Sequence, residues 1–473
     1  LMPLSSVEFL LFVALSVIAF RLSPRRGRPH VVLVASYAFY CTWNPEMAAA
    51  LLGITVVCYY AALYVEGSRG RPLAARITVA VVTGLILYIV AWKARAVLSA
   101  GGGIAIPLGV SYYTFRLISY LLDVHWGTVP AERSFVPFAA YVSFFPQMMA
   151  GPIERASSFL PQLEAGDTAG RGRTFEGVMR ILLGFFKKFV VADNLALIVD
   201  YGYRHLGSGS SVPNALSFYL YPVQLYADFS GLTDIALGVG LLFGLKGPEN
   251  FDAPFSASSI SEYWRRWHMT LTAWLRDYVF MPLRMATRAW GTAGLIVSVV
   301  VNMMLIAVWH GFTLGFVAFG VVNATFLVVD VLTSARRQKF WRRHPGLLRA
   351  GTVAGMIVTY HIVSLSETFF RAPSFGDAAR LLGGLGAGLH GFREALAAVT
   401  APPNHHAWVA LPAYVLTEIA DAVRRRRGMA LPAGLPRWAQ WSAVTCLAGA
   451  FVFMALLFLA RKTATNPFVY ANF

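Results

Sequence analysis

The chain has 473 residues, of which 57% are hydrophobic and only 13% are charged, and its mean hydropathy is +0.58. A soluble protein carries roughly 25% charged residues, so this composition excludes an ordinary soluble domain. The formal net charge is +17, and the positive residues cluster in short segments between apolar blocks, as in basic cytoplasmic loops that meet anionic headgroups. We therefore expect contact with membrane lipid and none with nucleic acid.

Apolar residues recur in blocks of about 17–25 residues, the length that crosses the hydrocarbon core of a bilayer as a helix. Several of these windows are short or interrupted. The pattern predicts an all-α polytopic membrane protein with about eleven to thirteen transmembrane helices, together with re-entrant and interfacial helices. The windows lie near residues 4–20, 31–43, 46–65, 74–92, 104–122, 134–150, 177–200, 213–228, 230–246, 270–286, 291–309, 311–333, 350–370, 406–422 and 439–460.

The first window, residues 4–20, is expected to be an uncleaved anchor rather than a signal peptide. Glu8 stands where a signal peptide carries basic residues, and Arg21, Arg25 and Arg26 follow the apolar run. Positive charges after the segment predict an N-terminus outside the cytoplasm.

No polar interval between the windows is long enough to hold a separate soluble enzyme. We therefore expect residues 1–473 to form a single integral membrane domain. The interval 371–405 mixes apolar and small residues with Arg380 and Arg393, which predicts one or two interfacial amphipathic helices. The cysteines show no C-x-x-C spacing, so no metal site is expected.

One imidazole, His310, stands in the apolar stretch NMMLIAVWHGFTLGFVAFG, residues 302–320. The surrounding apolar region, 291–333, is long enough for two crossings and has arginines beyond both ends. If both ends are cytoplasmic, the region is a hairpin and His310 lies between mid-membrane and the outer leaflet.

A histidine at membrane depth either hydrogen-bonds a neighbouring helix or faces an aqueous cavity or substrate path. Two neighbours of His310 favour the second interpretation. Gly311 removes a side chain beside the imidazole and permits close approach, and Trp309 supplies a rigid wall with one hydrogen-bond donor.

The segment SISEYWRRWHMTLTAWLRDYVFMPL, residues 259–283, is a second cluster. Its tryptophans and arginines suit an interfacial aromatic belt with snorkelling side chains. Arg265 and Arg266 could instead meet an anionic substrate. His268 is less easily explained by such a belt, because it is the other histidine embedded in a segment of this kind.

Two further segments carry polar groups inside apolar blocks, and structural hydrogen bonding remains an alternative for both. In YPVQLYADFSGLTDIALGVG, residues 221–240, Asp228 and Asp234 are buried carboxylate candidates. In FFPQMMAGPIERASSFLPQL, residues 144–163, prolines and a glycine interrupt the helix beside Gln147. Irregular backbone at membrane depth requires protein or a cavity around it.

These stretches together resemble one family, the membrane-bound O-acyltransferases. The segment EYWRRWHMTLTAWLRDYVFMPL resembles the family's W-R-R-W-H block, and AVWHGFTLGFVAFG resembles its W-H-G block. Four more stretches resemble the remaining blocks in the family's order: GVSYYTFRLISYLLDV, FFPQMMAGPIERASSFLPQL, YADFSGLTDIALGVGLLFG and the terminal NPFVYANF. The resemblance covers residues 109–473 and is strongest to the bacterial branch of alginate O-acetyltransferase membrane subunits, to which the teichoic acid D-alanyl transfer protein is related.

Some positions depart from the family's pattern. Arg284-Met285-Ala286 stand where glycines usually follow the M-P-L, and Ala307-Val308 replace the G-L before W-H-G. The family's later W-V-x-F-R-A begins here with Glu367-Thr368. These are loop and packing positions, so they bear on the acceptor more than on the chemistry.

The resemblance implies a helical protein around a central tunnel, with His310 as the catalytic histidine and His268 as the second one. It also implies acyl transfer from a cytoplasmic thioester, acetyl-CoA or an acyl carrier, with no permanently bound cofactor. The expected acceptor is a cell-envelope or exported polysaccharide, with an extracytoplasmic acetyltransferase as partner protein, in a bacterial plasma membrane. Trp309, Gly311, Asp228 and Gln147 are candidate substrate contacts, and we expect His268, Arg265 and Arg266 near the donor entrance.

Three alternatives remain open at this point. The first is D-alanyl transfer from a carrier protein to a teichoic-acid-type acceptor. The second is a transporter, in which broken helices and the carboxylates Asp228 and Asp234 bind a substrate or a proton. The third is a catalytically silent scaffold for envelope enzymes.

Overall fold

The computed structural model describes residues 6–98, 109–148, 151–166, 171–207, 211–386 and 407–427, with the single positions 388, 393, 397, 438, 442, 445 and 449. All regular structure within these ranges is helical, as the composition predicts. The α-helices are α1 Val7–Leu22, α2 Arg28–Cys41, α3 Pro45–Gly67, α4 Pro72–Leu98, α5 Val110–Trp126, α6 Phe135–Ser143, α7 Ala156–Ala165, α8 Arg171–Phe186, α9 Asp193–Arg204, α10 Ser211–Leu242, α11 Ile260–Arg266, α12 Met269–Leu275, α13 Met281–Ala286, α14 Gly291–His310, α15 Leu314–Arg343, α16 Leu348–Arg371, α17 Phe375–Gly384 and α18 Ala410–Arg427.

Six helical segments among these residues are long and apolar enough to cross a membrane. Helix α1, with 16 residues, is just shorter than the range of about 17–25 residues for a crossing, and α5, with 17, lies at its lower limit. Window 439–460 falls on residues of which only isolated positions are described, so the number of about eleven to thirteen spans stays a prediction. The six segments are Pro45–Gly67, Pro72–Arg95, Ser211–Leu242, Arg288–His310, Leu314–Arg343 and Pro345–Arg371.

The chain divides into two compact units and passes from one to the other at residues 185/186, at 231/232 inside α10, and at 248/249. The described helices of the first unit lie within Leu1–Phe185 and Leu232–Pro248. Those of the second lie within Phe186–Gly231 and Glu249–Gly428. The expectation of a single integral membrane domain over residues 1–473 stays a prediction.

The first unit packs around aromatic side chains. Phe9 of α1, Phe39 of α2 and Phe145 in the turn after α6 form a triangle of rings with centroids 5.5–6.4 Å apart. All three are fully buried. Edge-to-face and tilted ring contacts of this kind add to the stabilisation from burial itself.

The second unit contains the hairpin predicted for residues 291–333. Helix α14 ends at His310, and α15 begins at Leu314 after Thr313, whose hydroxyl oxygen accepts a hydrogen bond from the backbone N–H of Phe316. Gly320 lets the two helices approach closely, because a Cβ there would stand 2.7 Å from the Ala307 methyl group.

Two segments differ from the windows. Residues 213–228 and 230–246 give one continuous helix, α10, because the polar groups between them do not interrupt its backbone hydrogen bonds. The window 270–286 is divided into α12, a π-helical segment at Arg276–Phe280 and α13. A second π-helical segment, Lys187–Ala192, joins α8 to α9.

Candidate active site

A cavity of about 20 Å³ lies inside the second unit. It holds one to two groups the size of a water molecule, since one water requires about 10–15 Å³. Aromatic and aliphatic side chains form most of its wall, and the polar groups are few. The lining residues are Leu225, Tyr263, Trp264, Trp267, His268, Leu271, Ile306, His310, Phe319, Asn323, Ser366, Glu367 and Phe370.

His310 is the last residue of α14, and its imidazole reaches this cavity. Three phenylalanine rings surround it, with centroids 5.9 Å away for Phe316, 6.1 Å for Phe319 and 4.7 Å for Phe370. His310 is buried, so its surroundings are protein and a small cavity rather than lipid.

Trp309 lies against both candidate catalytic histidines. Its ring centroid is 4.5 Å from that of His310 and 6.2 Å from that of His268. Trp309 is not one of the residues that line the cavity. Its position supports the two imidazoles, and a direct contact with substrate stays a prediction.

Gly311 is required for packing beside His310. Its φ of 170° is ordinary extended backbone, so no glycine-specific conformation is involved. A Cβ at this position would stand 2.6 Å from the Phe316 ring, which stacks on the imidazole at an interplanar angle of 22°. The space that the sequence assigned to an approaching substrate is thus filled by Phe316.

His268 occupies a strained turn between α11 and α12. Its backbone has φ 44° and ψ 51°, the left-handed region that residues other than glycine seldom adopt. The turn ends α11 and brings the imidazole, which is 1% exposed, to the cavity wall. Strain of this kind occurs at sites where the surrounding structure holds the residue in place.

The side chain of Asn250 determines the tautomer of His268. Its Oδ1 accepts hydrogen bonds from the backbone N–H of Thr270 at 3.2 Å and from the Thr270 hydroxyl at 2.8 Å. Because a backbone N–H can only donate, this Asn250 atom is the amide oxygen. The His268 Nδ1, 3.2 Å from the same oxygen, is therefore the protonated nitrogen.

Burial lowers the pKa of His268 to about 3, and the residue lies outside the candidate membrane spans. His268 is therefore neutral at physiological pH, with its lone pair on Nε2. This nitrogen can accept a hydrogen bond or a proton from a substrate, and it cannot donate one.

The two arginines of the second cluster do not line the cavity. Arg265 is exposed. Arg266 is half-buried and donates to Glu262 Oε1 at 2.7 Å and to Ser256 Oγ at 2.9 Å. Contact of these arginines with an anionic donor stays a prediction. For Arg266, binding a donor phosphate would compete with its ion pair to Glu262.

Asp228 belongs to a buried ion cluster and is not part of the cavity wall. Its Oδ1 is 2.8 Å from Nζ of Lys188, and Asp193 Oδ1 is 3.0 Å from the same nitrogen. Burial raises the pKa of Asp193 to about 6. The geometry favours a structural role for Asp228, the alternative that the sequence left open.

Gln147 lies in the first unit, where it connects two buried charged groups. Arg116 donates to Gln147 Oε1, and Gln147 Nε2 donates to Glu154 Oε2 at 2.8 Å. Burial raises the pKa of Glu154 to about 7. Both the oxygen and the nitrogen of the Gln147 amide thus have protein partners. Contact of Gln147 with substrate stays a prediction.

Sequence reasoning did not single out Asn250 or Glu367 as site residues. Asn250 lies in a loop without a recognisable motif, and its role depends on contacts with residues 268 and 270. Glu367 was visible only as a departure from the family's W-V-x-F-R-A pattern. A carboxyl group in an apolar segment is itself a functional signal, because such groups are costly at membrane depth.

A profile of the MBOAT, membrane-bound O-acyltransferase family matches residues 129–366, a range that includes both histidines. The chain belongs to the membrane-bound O-acyltransferase family. It is a multi-pass membrane protein and an O-acyltransferase, which decides against the transporter and silent-scaffold alternatives.

The chain is similar to O-acetyltransferases and to D-alanyltransferases. The chain is 31% identical over 401 residues to the probable alginate O-acetylase AlgI of Pseudomonas putida, covering 80% of this chain and 79% of that protein. It is 29% identical over 409 residues to the peptidoglycan O-acetyltransferase of Helicobacter pylori, covering 76% and 74%. It is 28% identical over 276 residues to the teichoic acid D-alanyltransferase of Bacillus subtilis, covering 57% and 69%.

Proposed function

We propose that this protein transfers an acetyl or similarly short acyl group from a cytoplasmic thioester, acetyl-CoA, across the membrane for O-acetylation of a cell-envelope or exported polysaccharide. The observation that carries the proposal is that His310 and His268 line one small cavity. The cavity is enclosed largely by apolar side chains, where electrostatic interactions with a reacting group are strong.

His310 acts as the general base in this mechanism. It removes the proton of the acceptor hydroxyl while the oxygen attacks the thioester carbonyl. The tetrahedral intermediate then collapses, the carbon–sulfur bond breaks, and the imidazolium returns the proton to the leaving thiolate. Each step balances with the thioester and the alcohol alone, so no cofactor is required.

His268 binds the donor rather than the acceptor. Its neutral Nε2 is a hydrogen-bond acceptor, and the pantetheine arm of acetyl-CoA or an acyl carrier presents amide N–H groups. Arg265 and Arg266 are the last two residues of α11, just before the turn that holds His268, and would meet the phosphates of a donor that approaches from the cytoplasm.

The size of the cavity supports a short acyl group. About 20 Å³ accommodates one to two water-sized groups, which suits an acetyl group better than a fatty acyl chain. The similarity to alginate and peptidoglycan O-acetyltransferases supports a saccharide acceptor. An extracytoplasmic acetyltransferase that takes the acyl group and passes it to the sugar remains the expected partner, in a bacterial plasma membrane with the N-terminus outside.

D-Alanyl transfer from a carrier protein is the second candidate. It rests on the similarity to teichoic acid D-alanyltransferases, which covers little more than half of this chain.

The test is a reconstitution in sealed vesicles with the donor side accessible. The vesicles enclose an extracytoplasmic acetyltransferase and an acceptor polysaccharide. Radiolabelled acetyl-CoA and D-alanyl carrier protein are supplied separately, and the label on both enclosed acceptors is measured. We expect labelling from acetyl-CoA that requires His310. Labelling from the D-alanyl carrier alone would reject acetyl transfer in favour of the second candidate.

A further inference from the structure

The loop that contains Asn250 determines where the turn with His268 lies. Asn250 is fully buried, and its side-chain oxygen accepts a hydrogen bond from His268 Nδ1 at 3.2 Å. Its backbone carbonyl accepts from the N–H of Met269 at 2.9 Å. Two residues later, the N–H of Asp252 donates to the carbonyl of Arg266 at 3.0 Å. Loop and turn are thus joined on both sides of the imidazole, so a displacement of the loop displaces His268.

The loop and the turn both contain strained backbone. Ala253 has φ 44° and ψ 62°, and His268 has φ 44° and ψ 51°. Among the residues that the structure describes, these are the two other than glycine with a positive φ. Backbone of this kind persists only where the surrounding structure holds it in place. The loop therefore requires contacts from elsewhere in the fold.

Helix α18 supplies two such contacts, one on each side of Asn250 in the chain. Arg424 Nη1 donates to Glu249 Oε1 at 2.9 Å. Arg425 Nε lies 3.3 Å from Asp252 Oδ1. The two arginines are the first of a run of four at residues 424–427. Such a run fits the basic segments on the cytoplasmic side of a membrane protein, and here it also carries specific ion pairs.

Buried charges hold α18 beside the loop. Asp421 lies one turn before Arg424, and its Oδ2 is 2.6 Å from Nζ of Lys187 while its Oδ1 is 3.2 Å from Nε of Arg424. The side chains of Lys187 and Asp421 are each 2% exposed. Breaking a buried pair is costly, because it leaves a charge without its partner. A row of ionic contacts therefore runs from the π-helical segment Lys187–Ala192 through Arg424 to the residue that precedes Asn250.

We propose that Arg424 and Arg425 are positioning residues that set the affinity for the acyl donor through Asn250 and His268. Their ion pairs hold the loop, and Asn250 keeps the proton on Nδ1 of His268. The Nε2 lone pair is then presented to an amide N–H of the donor arm. This inference rests on the proposed function, because His268 is assigned to the donor there.

The partners of Arg424 argue against its direct contact with donor phosphates. Its guanidinium donates to the carboxylates of Glu249 and Asp421, so two negative charges already lie beside it. These carboxylates would repel an approaching phosphate. Arg424 is therefore better placed to hold the loop than to bind an anion.

The test measures KM for a donor with and without phosphates. S-acetylpantetheine retains the acetyl thioester and both amides of acetyl-CoA and lacks its phosphate groups. The full-length protein in the sealed vesicles described above receives either donor, and kcat and KM are determined for each. We expect Arg424→Met to raise KM for both donors by about 3- to 10-fold, the value of one neutral hydrogen bond, with little change in kcat.

Two further variants frame this measurement. Glu249→Gln should raise KM by a similar factor, because it removes the same ion pair from the loop side. Glu249 is 41% exposed, so this variant carries the test if Arg424→Met does not fold. Arg380→Met is the matched control, because Arg380 pairs instead with Asp377 within α17. It should leave KM unchanged for both donors.

A double-mutant cycle with His268 decides the route. In a His268→Ala background, Arg424→Met or Glu249→Gln should raise KM no further, because the imidazole through which they act is absent. A further rise by the same factor would overturn the inference. A rise for acetyl-CoA alone would also overturn it and assign Arg424 to the donor phosphates. Loss of kcat and of thermal stability at an unchanged KM would overturn it in favour of a structural role.

A measurement without turnover distinguishes failure of the proposed function. If the wild type transfers no acetyl group from either donor, the tautomer of His268 is read from the ¹⁵N chemical shifts of histidine-labelled protein in lipid nanodiscs. The signals are assigned by their loss in His268→Asn. The wild type should show a protonated Nδ1 and an unprotonated Nε2, and Arg424→Met and Glu249→Gln should shift these signals toward a mixture of tautomers. Unchanged signals in both variants would reject the inference.

Discussion

His310 is a residue whose loss should affect catalysis far more than folding. We expect His310→Ala to reduce acyl transfer by about 10²–10⁴-fold, the contribution of a general base. Loss of the imidazole from its helix contacts should cost only roughly 0.6–2 kcal/mol. Initial rates with purified protein and a thermal denaturation curve measure the two effects. His361→Ala is the control, because His361 is an exposed histidine of the same unit that does not line the cavity.

The same assay separates the two histidines of the cavity. His268→Ala should weaken transfer and raise KM for the donor without eliminating activity, because His268 is proposed to hold the thioester arm. A complete loss equal to that of His310→Ala, with donor binding intact, would put His268 into the chemical step. Near-normal transfer by His310→Ala would reject the general-base assignment.

His268 also makes stability depend on pH. Its folded pKa of about 3 lies below the ordinary value of 6.5 because the ring is buried. Between these values the unfolded chain binds more protons than the folded one, so acidification below pH 6.5 destabilises the fold by about 1.4 kcal/mol for each pH unit. This contribution is fully present above pH 6.5 and is lost as the pH falls toward 3.

The His268→Asn variant isolates this effect, since asparagine tolerates the left-handed backbone and does not titrate. We expect the stability difference between the wild type and this variant to change in favour of the variant from pH 6.5 to 4.5. Comparison of the two is necessary because Glu154 and Asp193, with raised pKa values, respond to acid with the opposite sign. A stability difference that is independent of pH would show that His268 is not buried as a neutral ring.

Among single residues, the sequence predicted those that belong to a recognisable motif. It missed those whose role depends on contacts with residues distant in the chain. His310 and His268 were singled out together, and they share one cavity. Asn250 was missed because its hydrogen bonds depend on the turn at residue 268. Asp228 was considered a substrate contact because its partner, Lys188, lies 40 residues earlier and cannot be read from the local pattern.

The hairpin of α14 and α15 positions His310 through one glycine. Gly311→Ala should displace the Phe316 ring, since the added Cβ would come within 2.6 Å of it. The stacked ring then no longer holds the imidazole, and we expect acyl transfer to fall about 10- to 100-fold because small misplacements at a reacting group are costly. The measurement is kcat at saturating donor and acceptor.

Gly346→Ala serves as the control, because no atom lies within 4 Å of a Cβ at that position. The double variant Gly311→Ala/Phe316→Ala tests the mechanism further. Removing the ring removes the collision, so the two substitutions should be strongly non-additive. Additive losses would show that Gly311 acts by some route other than Phe316.

The π-helical segment between α8 and α9 is held by buried ion pairs. Lys188→Met should destabilise the protein by about 3–5 kcal/mol, because it leaves Asp193 and Asp228 buried without their shared cation. Resistance to thermal unfolding in detergent measures the loss. Lys339→Met, at an exposed position of α15, should have little effect.

A triple variant with both aspartates changed to asparagine should recover much of the stability, since the buried charges are removed together. If Lys188→Met keeps wild-type stability and instead raises KM for the acceptor, Asp228 is a substrate contact and not a structural one. The adjacent residues Lys187 and Lys188 stand in the apolar window 177–200, where unpaired charges are costly, so this window itself indicates buried ion pairs.

For the whole molecule, hydropathy predicted the class of fold and located the hairpin that carries His310. Hydropathy divided α10 into two windows, because polar side chains near its middle lower the local average. In the folded protein the charged side chains there are paired, and the helix continues. Hydropathy could not reveal the cavity, which requires side chains from six helices separated by up to 145 positions, from Leu225 to Phe370. Local periodicity contains no information on such contacts, and only the resemblance connected the segments beforehand.

The sidedness of the membrane gives the last prediction. In our proposal the donor comes from the cytoplasm and the acceptor from outside, and the two meet at one cavity. The second unit's membrane-spanning helices must therefore have one end on each side of the membrane. Helix α14 has 20 residues and spans about 30 Å, the thickness of the hydrocarbon core. Arg342 near the end of α15 and Arg265 beside His268 should therefore be cytoplasmic, and Phe312 at the turn of the hairpin should be outside.

Single cysteines at these three positions, in a background without the native cysteines, can be labelled with a membrane-impermeant maleimide. All three side chains are exposed in the structure. Phe312→Cys should react in intact cells, whereas Arg265→Cys and Arg342→Cys should react only after the membrane is opened. Labelling of Arg265→Cys and Phe312→Cys from the same side would contradict a relay across the membrane, because donor and acceptor would then share one compartment.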